Sequence, residues 1–260
     1  MTEEKISIEQ EQCLVCPVCG MGRSEIGEPV IGINYMGVTL AYAKCSACTG
    51  YWLLNRMTEE FQKTYYRDYY RKITTPTVEH QALSLLAEEK RVTHQLRFIN
   101  DILSEVDNVL DFGCSTGEML KRLRDEYEIT GVGVDIGVNS QSELAYVHGI
   151  QVYGSLDELK GASYDLIVLS HVLEHQNYPL KFLLELKEHL NDGGYMLIDV
   201  PNVHADRSAM LIHHPIAFSF TSMFRLLDTA GLEIEEFEKY DWEDSPIERS
   251  MMFLVKRGLI

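Results

Sequence analysis

The chain has 260 residues with 45% hydrophobic content, which is enough for one sizeable core and a small accessory module. Its 40 acidic residues outnumber 23 basic ones, and the formal net charge of −17 repels polyphosphate chains and anionic membranes, with no local basic patch to offset it. The polar, acidic first ten residues and the lack of a long apolar run argue against a signal peptide or membrane span, so we expect a cytoplasmic protein without nucleic-acid or membrane partners.

Five cysteines near the N-terminus have the spacing of a metal site. Cys13, Cys16 and Cys19 are each separated by two residues, and Cys45 and Cys48 repeat that spacing further along. In a reducing compartment such cysteines are metal ligands or buried thiols rather than disulfides. The predicted ligands of one structural zinc ion are Cys16, Cys19, Cys45 and Cys48, with Cys13 as a spare. Residues 1–56 are therefore predicted to form a zinc-ribbon-like module with a hairpin over residues 28–43.

A stripe of aromatic residues at helical spacing follows this module. Its members are Phe61, Tyr65, Tyr66, Tyr69 and Tyr70. Two interpretations are open: a helix packed on the edge of the core, or a lid over the active site. Pro76 marks a linker, so we assign residues 57–78 to this helix and linker and residues 79–260 to the main domain. Apolar residues at helical spacing over residues 80–103 predict one or two helices before the first strand of that domain.

The segment from Asn108 to Gly117 is predicted to be a buried strand, a glycine turn and the start of a helix, an arrangement that binds polar or anionic ligand groups. Gly113, Ser115 and Gly117 also fit the Gly-x-Ser-x-Gly nucleophile elbow of hydrolases. A second apolar strand, over residues 129–134, ends in Asp135, about twenty residues beyond the turn, where a carboxylate can bind a ribose. Since a hydrolase has no use for that carboxylate, and cysteines and helices rather than strands precede the serine, a nucleoside cofactor site is favoured.

Strands and helices alternate through the rest of the sequence. The predicted helices cover residues 140–148, 180–190 and 221–230, the predicted strands cover residues 150–153, 164–169, 195–200, 232–237 and 251–255, and a turn covers residues 191–194. Such alternation predicts a parallel sheet with helices on both faces, and these sheets bind ligands at the carboxyl ends of their strands. At that end of the fourth strand lies the polar segment from Ser170 to His175.

From Val109 onward the sequence resembles the class I S-adenosylmethionine-dependent methyltransferases. Four segments carry the resemblance in the order of that family: Asp111 to Gly117, the strand end at Asp135, His171 to His175, and the turn Asp192-Gly193-Gly194. Ser115 replaces the usual middle glycine of the family. The resemblance implies a Rossmann-like, seven-stranded, mostly parallel sheet with helices on both faces, and S-adenosylmethionine as the cofactor.

The same resemblance implies the residues that bind the cofactor. We expect Asp135 to hold the ribose hydroxyls, and Asp111 to assist with the methionine amino group. The remaining predicted contacts are Gly113, Cys114 and Gly117 on the methionine and ribose side, Ser155 and Leu156 at the adenine, and Ser170 or His171 at the methionine portion. Cys114 is interpreted as a packing thiol, since no base adjacent in sequence would activate it.

A zinc module before a methyltransferase domain further resembles bacterial enzymes that methylate sugars, sugar nucleotides or other small metabolites. His214 and Phe218-Ser219 match a segment of those relatives that reads histidine, three residues, aromatic, serine. Sugar C-methyltransferases with such a module usually carry a further C-terminal domain, so their reaction is not transferred to this shorter chain. The favoured expectation is O-methylation of a sugar or sugar nucleotide.

A hydroxyl acceptor needs a base, and histidine titrates near working pH. The candidates are His175 and His214, with Glu174 as an orienting or accepting partner, although each histidine could instead be a structural group. His171 is a weaker candidate, and His189, His204 and His213 are interpreted as surface or packing residues.

Two other classes of function stay open: an RNA methyltransferase whose zinc ribbon recognises the substrate, and a non-catalytic partner protein with a methyltransferase fold.

Overall fold

The structure is a computed structural model that describes residues 8–22, 31–35, 38–136, 145–205, 209–241 and 247–258. Its N-terminal part contains the strands β1 (Gln10–Gln12), β2 (Ile31–Tyr35), β3 (Val38–Lys44), β4 (Tyr51–Leu53) and β5 (Asn55–Met57). β1 pairs with β5, and β2, β3 and β4 form an antiparallel sheet. The hairpin predicted over residues 28–43 is thus β2 and β3, while residues 28–30 and 36–37 lie outside the described residues.

The aromatic stripe forms one continuous helical segment with a π-helical turn in the middle. It consists of α1 (Glu59–Thr64), the π-helical turn Tyr65–Tyr69 and α2 (Tyr70–Thr74). Thr58 caps the segment, since its side chain accepts a hydrogen bond from the Phe61 N–H at 3.2 Å. Tyr65 is 2% exposed and packs into a core cluster with residues of both the N-terminal strands and the main domain. Such π-helical turns frequently mark functional sites.

A long helix follows this segment and begins the main domain. α3 (Val78–Phe98) begins after the cap residue Thr77, and a 3₁₀ turn, Asn100–Glu105, follows it. Only the C-terminal half of its predicted apolar stripe is buried, because Leu83 and Leu86 are exposed whereas Val92 and Leu96 lie in the core. Across the described ranges, no helix combines the length and apolar character needed to cross a membrane.

The main domain consists of strands that alternate with helices. In chain order the elements are β6 (Asn108–Phe112), α4 (Glu118–Tyr127), β7 (Thr130–Val134), β8 (Gln151–Tyr153), β9 (Tyr164–Ser170), α5 (Pro179–Lys187), β10 (Leu190–Pro201), β11 (Ile216–Ala217), α6 (Phe220–Thr229), β12 (Leu232–Tyr240) and β13 (Ser250–Arg257). Within the described residues, seven of these strands form one sheet in the order β12-β13-β10-β9-β6-β7-β8. Five neighbouring strands of this sheet, β10, β9, β6, β7 and β8, are mutually parallel. β13 is antiparallel to both β10 and β12.

Both faces of this sheet are buried. Along β9, Ile167 and Leu169 belong to one core cluster, whereas Leu166 and Val168 belong to the cluster on the other side. A strand with apolar residues on both faces is typical of a parallel sheet between two helical layers. The predicted Rossmann-like, seven-stranded α/β fold is therefore confirmed. Of the helix predicted over residues 140–148, residues 137–144 lie outside the described residues and 145–147 are helical.

The boundary predicted before the fifth main-sheet strand is wrong by a few residues. The predicted helix over 180–190 ends at Lys187, and Leu190 already belongs to β10. The predicted turn at residues 191–194 lies inside that strand as an irregularity, because Leu190 pairs with Tyr164 whereas Tyr195 pairs with Leu166. The extra residues loop out of register, which Gly193 permits through its positive φ of 78°.

The N-terminal strands are joined to the main domain through the backbone. β4 pairs with β11, with Trp52 opposite Ile216. The Leu53 N–H also donates to the Pro215 carbonyl oxygen at 2.9 Å. This pairing holds the chain immediately after His214 against the predicted zinc module.

Candidate functional site

A cavity of about 570 Å³ lies at the carboxyl ends of β6, β7 and β9. This is the expected ligand position in a parallel α/β sheet. α3, the aromatic helical segment and the loop before β11 supply its remaining walls. The predicted site residues that line it are Asp111, Gly113, Cys114, Asp135, Ser170, His171, Glu174, His175 and His214. Most of the cofactor and acceptor residues predicted from sequence thus share one cavity.

The glycine turn after β6 is tied to the tip of β7. Gly113 and Gly117 have φ of 79° and 74°, and a Cβ at Gly113 would lie 2.6 Å from Val172 Cγ2. The Ser115 N–H donates to Asp135 Oδ2 at 2.9 Å. The turn and the carboxylate predicted to bind a nucleoside therefore form one unit.

Three predicted cofactor residues do not line the cavity. Gly117 lies beneath it at the start of α4, where a Cβ would lie 3.2 Å from Ala145 Cβ. Ser155 caps the short 3₁₀ turn after β8 together with Glu158, and Leu156 packs against the core. Contact of Ser155 and Leu156 with adenine stays a prediction.

The floor of the cavity beside β6 is acidic. Asp111 is 4% exposed, and burial raises its pKa to about 8, helped by the charges of Glu88 and Asp135 and opposed by that of Arg91. A ligand cation such as an ammonium or sulfonium fits beside these acids, and the Arg91 guanidinium fits a ligand carboxylate. Glu88 and Arg91 were missed in the sequence because both lie on an amphipathic helix, where charged residues usually face solvent.

A buried hydrogen-bond network fixes α3 under the cavity. Gln95 Nε2 donates to Ser170 Oγ and to Asp199 Oδ2, each at 2.7 Å, and the Tyr240 hydroxyl also donates to Asp199 Oδ2. Burial raises the pKa of Asp199. The network joins α3 to β9, β10 and β12, so it holds the helix that carries Arg91 in place.

His171 follows β9 in a left-handed conformation with φ of 55°. Its backbone N–H donates to the Asp199 carbonyl oxygen at 2.9 Å, and its Nδ1 lies 3.3 Å from Glu174 Oε1. Burial, together with the charge of Arg91, lowers the pKa of His171 to about 4. His171 is therefore a neutral imidazole at physiological pH.

Three histidines and two tyrosines form the other end of the cavity. The ring of His214 lies 4.7 Å from those of both His175 and His213, measured between centroids. The Tyr66 hydroxyl lies 2.8 Å from His175 Nδ1, and the Tyr70 ring packs against those of His175 and His213. The aromatic helical segment therefore forms a wall of the cavity.

His213, which was predicted to be a surface or packing residue, is buried in the wall of the cavity. It is 3% exposed and lines the cavity, where its Nδ1 lies 3.3 Å from the Tyr65 hydroxyl. Burial lowers the pKa of His213 to about 3 and that of His214 well below its usual value. The sequence did not reveal this position because residues of a loop carry no periodic signal that shows which side chains face inward.

Glu174 is a buried carboxylate beside His171, His175 and His214. It is 1% exposed, and burial raises its pKa against the opposing charge of His175.

Burial likewise raises the pKa of the Cys114 thiol, which supports its interpretation as a packing residue rather than a nucleophile.

The segment from His214 to Ser219 connects the cavity to the N-terminal module. Phe218 is fully buried, and Ser219 caps α6 by accepting a hydrogen bond from the Ser222 N–H at 3.2 Å. Ser219 Oγ also lies 2.8 Å from Thr49 Oγ1, directly after Cys48.

The structure brings together the four cysteines predicted as zinc ligands. Their sulfur atoms all lie within 4.8 Å of one another, with 3.6 Å between Cys16 and Cys48 and 3.4 Å between Cys19 and Cys45. Zinc–sulfur bonds of about 2.3 Å in a tetrahedron require sulfur atoms about 3.8 Å apart, so the group fits one zinc ion. Cys13 lies outside it, with its thiol 3.2 Å from the Val15 carbonyl oxygen.

Comparison with known proteins identifies the main domain. The model of a family described as "Methyltransferase domain" matches residues 79–236, more than half of the chain. The chain belongs to this family. The prediction of a class I S-adenosylmethionine-dependent methyltransferase is therefore confirmed in family and fold, and the hydrolase alternative is excluded.

Among curated relatives, the chain is 27% identical over 139 residues to tRNA U34 carboxymethyltransferase of Pseudoalteromonas translucida; the match covers 48% of this chain and 42% of that protein. It is 32% identical over 111 residues to trans-aconitate 2-methyltransferase of Deinococcus radiodurans, which covers 40% of this chain and 42% of that protein. The chain thus spans about two fifths of the length of these two relatives.

A solved structure resembles this chain over most of its length. It is the 1,6-didemethyltoxoflavin-N1-methyltransferase of Burkholderia thailandensis with bound 1,6-didemethyltoxoflavin and S-adenosylhomocysteine. The TM-score is 0.61 at 16% identity, with coverage of 90% of this chain and 100% of the other. At this identity the likeness shows the shared fold.

Proposed function

We propose that the protein transfers a methyl group from S-adenosylmethionine to a small-molecule acceptor, with an oxygen of a sugar or sugar nucleotide favoured over nitrogen or carbon. One observation carries the proposal: a single cavity joins the glycine turn and Asp135 at one end to the group of Glu174, His175 and His214 at the other. A donor at the first end and an acceptor at the second would meet inside it.

The residues around the glycine turn suit S-adenosylmethionine. The Asp135 carboxylate would hold the ribose hydroxyls, and the backbone of Gly113 would lie along the methionine and ribose side. Asp111 and Glu88 would face the ammonium, while Arg91 would face the carboxylate of the same amino acid. When bound, the cofactor supplies a methyl group on a sulfonium, and the electron pair of the carbon–sulfur bond stays on the sulfur when that bond breaks.

The residues at the other end would orient the acceptor and take up its proton. As an acceptor hydroxyl forms its bond to the methyl carbon, its proton must leave, and the buried group of Glu174, His175 and His214 is placed to receive it. Tyr66 and Tyr70 would close the cavity against water and align the acceptor for in-line displacement.

The choice of a sugar oxygen has narrower support. It depends on the resemblance of the segment from His214 to Ser219, and of the preceding cysteine module, to bacterial sugar and small-metabolite methyltransferases. Several hydrogen-bonding side chains at this end of the cavity suit an acceptor with several hydroxyl groups.

The module of residues 1–56 would have a structural role. A zinc ion with four thiolate ligands has no open position for chemistry, but it stabilises a fold that is too small to bury its own core. Through the pairing of β4 with β11, the module would hold His213 and His214 at the cavity. Thiolate ligands must stay reduced, which supports a location in the cytoplasm.

Transfer to RNA is the second candidate. It is supported by curated relatives named tRNA U34 carboxymethyltransferase. The net charge of −17 opposes it, because RNA binding requires neutralisation of phosphates by basic groups.

A methyl-transfer assay with alternative acceptors separates these candidates. The full chain is incubated with S-adenosylmethionine and a panel of free sugars, nucleotide sugars, small carboxylic acids and unmodified tRNA, and release of S-adenosylhomocysteine is measured. We expect release above background with a nucleotide sugar. Release with tRNA alone would support the second candidate, and binding of S-adenosylhomocysteine without turnover on the whole panel would favour the non-catalytic alternative.

A further inference from the structure

We propose that Glu174, His175 and His214 form a second metal site, separate from the four cysteines, which binds a divalent transition-metal ion, Zn²⁺ above all, at the acceptor end of the cavity. Each of the three residues offers a ligand atom, and these atoms all lie within 4.8 Å of one another. The set comes from two separate parts of the chain: the turn after β9 and the loop before β11.

Both imidazoles are held in a tautomer that can bind a metal. His214 Nδ1 lies 2.8 Å from the Ala209 carbonyl oxygen, and His175 Nδ1 lies 2.9 Å from the His213 carbonyl oxygen. A carbonyl oxygen only accepts hydrogen bonds, so the His214 Nδ1 carries the proton and its Nε2 keeps the lone pair. The His175 Nδ1 also lies 2.8 Å from the Tyr66 hydroxyl, which can accept from the same N–H while it donates to the His213 carbonyl oxygen at 3.3 Å, so this arrangement leaves the His175 Nε2 lone pair for a metal as well. Metal-binding histidines commonly have this arrangement, in which a backbone carbonyl fixes the second ring nitrogen.

The carboxylate supplies independent support. Within the described residues, both oxygens of Glu174 are buried without a hydrogen-bond partner, and no Lys or Arg forms an ion pair with them; the neighbouring group is the His171 imidazole, with Nδ1 3.3 Å from Oε1. A buried, unsatisfied carboxylate is costly, and it is rarely retained unless it pairs with a charge or binds a metal. A divalent ion at this position would satisfy it.

The donor set indicates the class of metal. Two imidazoles and one carboxylate are the protein ligands of many catalytic zinc sites and of non-haem iron sites, whereas Mg²⁺ and Ca²⁺ prefer oxygen ligands alone. Three protein ligands also leave a coordination position for a further group. The cysteine group, by contrast, supplies all four ligands of its ion.

The site would select acceptors with an oxygen donor. With the ion bound, these three residues would act as its ligands rather than as the base. An alcohol oxygen on the ion would lose its proton to solvent at a much lower pH than a free alcohol does, so it would become a nucleophile at neutral pH. A sugar with neighbouring hydroxyls could occupy the open coordination position. This role rests on the proposed methyl transfer, whereas the binding of the ion itself does not.

Metal binding by the purified full chain tests the proposal. The protein is stripped of metal with a chelator under reducing conditions and titrated with Zn²⁺ by calorimetry, and with Co²⁺ by absorption spectroscopy. We expect two Zn²⁺ ions per chain, and two cobalt signatures, of which only the one from the cysteine group has a thiolate charge-transfer band. Saturation at one ion per chain, with the thiolate signature alone, would overturn the proposal.

Variants identify which residues hold the second ion. Glu174→Gln and His214→Gln should each bind one Zn²⁺ per chain and keep the thiolate signature, while the exposed His204→Gln control should bind two. Retained binding of S-adenosylhomocysteine shows that each variant is folded. If the variants still bind two ions, the assignment of these ligands is wrong. If the wild type binds two ions but does not bind S-adenosylhomocysteine, the result counts against the proposed function alone.

Discussion

The Tyr42 hydroxyl links the N-terminal module to the histidine loop, which makes Tyr42→Phe an informative change. Tyr42 is fully buried in β3, and its hydroxyl lies 2.7 Å from the Leu211 carbonyl oxygen and 2.6 Å from the His214 carbonyl oxygen. Removal of the hydroxyl leaves these backbone oxygens without that donor. A buried polar group that loses its partner costs about 1–3 kcal/mol, which for a chain of this size corresponds to roughly 2–4 °C of Tm per kcal/mol.

The variant should also separate the two ends of the cavity. Because the hydroxyl contacts the loop that holds His214, kcat/KM for the acceptor should fall about tenfold or more, while the affinity for S-adenosylhomocysteine should stay unchanged. Thermal unfolding, calorimetry and initial rates measure the three quantities. Tyr51→Phe on the adjacent strand is the matched control, since its hydroxyl has no hydrogen bond within the described residues. If Tyr42→Phe matched this control in both Tm and kcat/KM, the module would not position the loop.

Three further predictions concern the cofactor end and the cysteines. Since burial raises the pKa of Asp111 to about 8 and a bound ammonium favours the ionised form, binding of S-adenosylhomocysteine should release a proton and tighten between about pH 6 and about pH 8. Calorimetry in buffers of different ionisation enthalpy measures this proton release, and its persistence in Asp111→Asn would assign it to another group. Gly113→Ala should lose roughly 1–3 kcal/mol of stability and bind S-adenosylhomocysteine at least tenfold more weakly, because the new Cβ lies 2.6 Å from a neighbouring side chain. Gly161→Ala has a similar positive φ but no atom within 4 Å, so equal losses in both variants would show that the contact is unimportant. Cys48→Ser should lose the zinc ion of the cysteine group and unfold roughly 10 °C lower, whereas Cys13→Ser should keep that ion. Metal analysis and thermal unfolding measure both effects, and the reverse pattern would reassign the ligands.

The fold, and the position of the glycine turn beside Asp135, could be predicted because their signals are local. The strand before Gly113, the turn and the carboxylate at Asp135 follow one another at spacings fixed by strand and helix geometry, so their order in the sequence reproduces their order in space. The cysteine spacing is equally local, and the four thiols predicted as ligands lie together.

The acceptor end could be predicted only in part, because it depends on contacts between distant segments. His175 and His214 stood out by their motifs, but the positions of Tyr66 and His213 depend on a π-helical turn and on the pairing of β4 with β11. Arg91 faces the cavity rather than solvent because a buried network through Gln95 fixes the rotation of α3. Such long-range packing has no periodic signature in a single sequence.

The central claim is that Asp135 and the glycine turn hold the nucleoside of the methyl donor. The direct measurement is a calorimetric titration of S-adenosylhomocysteine into the wild type, Asp135→Ala and the exposed-carboxylate control Asp228→Ala. Loss of charged hydrogen bonds worth about 1.5–3 kcal/mol predicts a Kd about ten- to hundredfold higher for Asp135→Ala, with the control unchanged. Equal affinity in all three proteins would contradict the account, because the donor would then bind elsewhere.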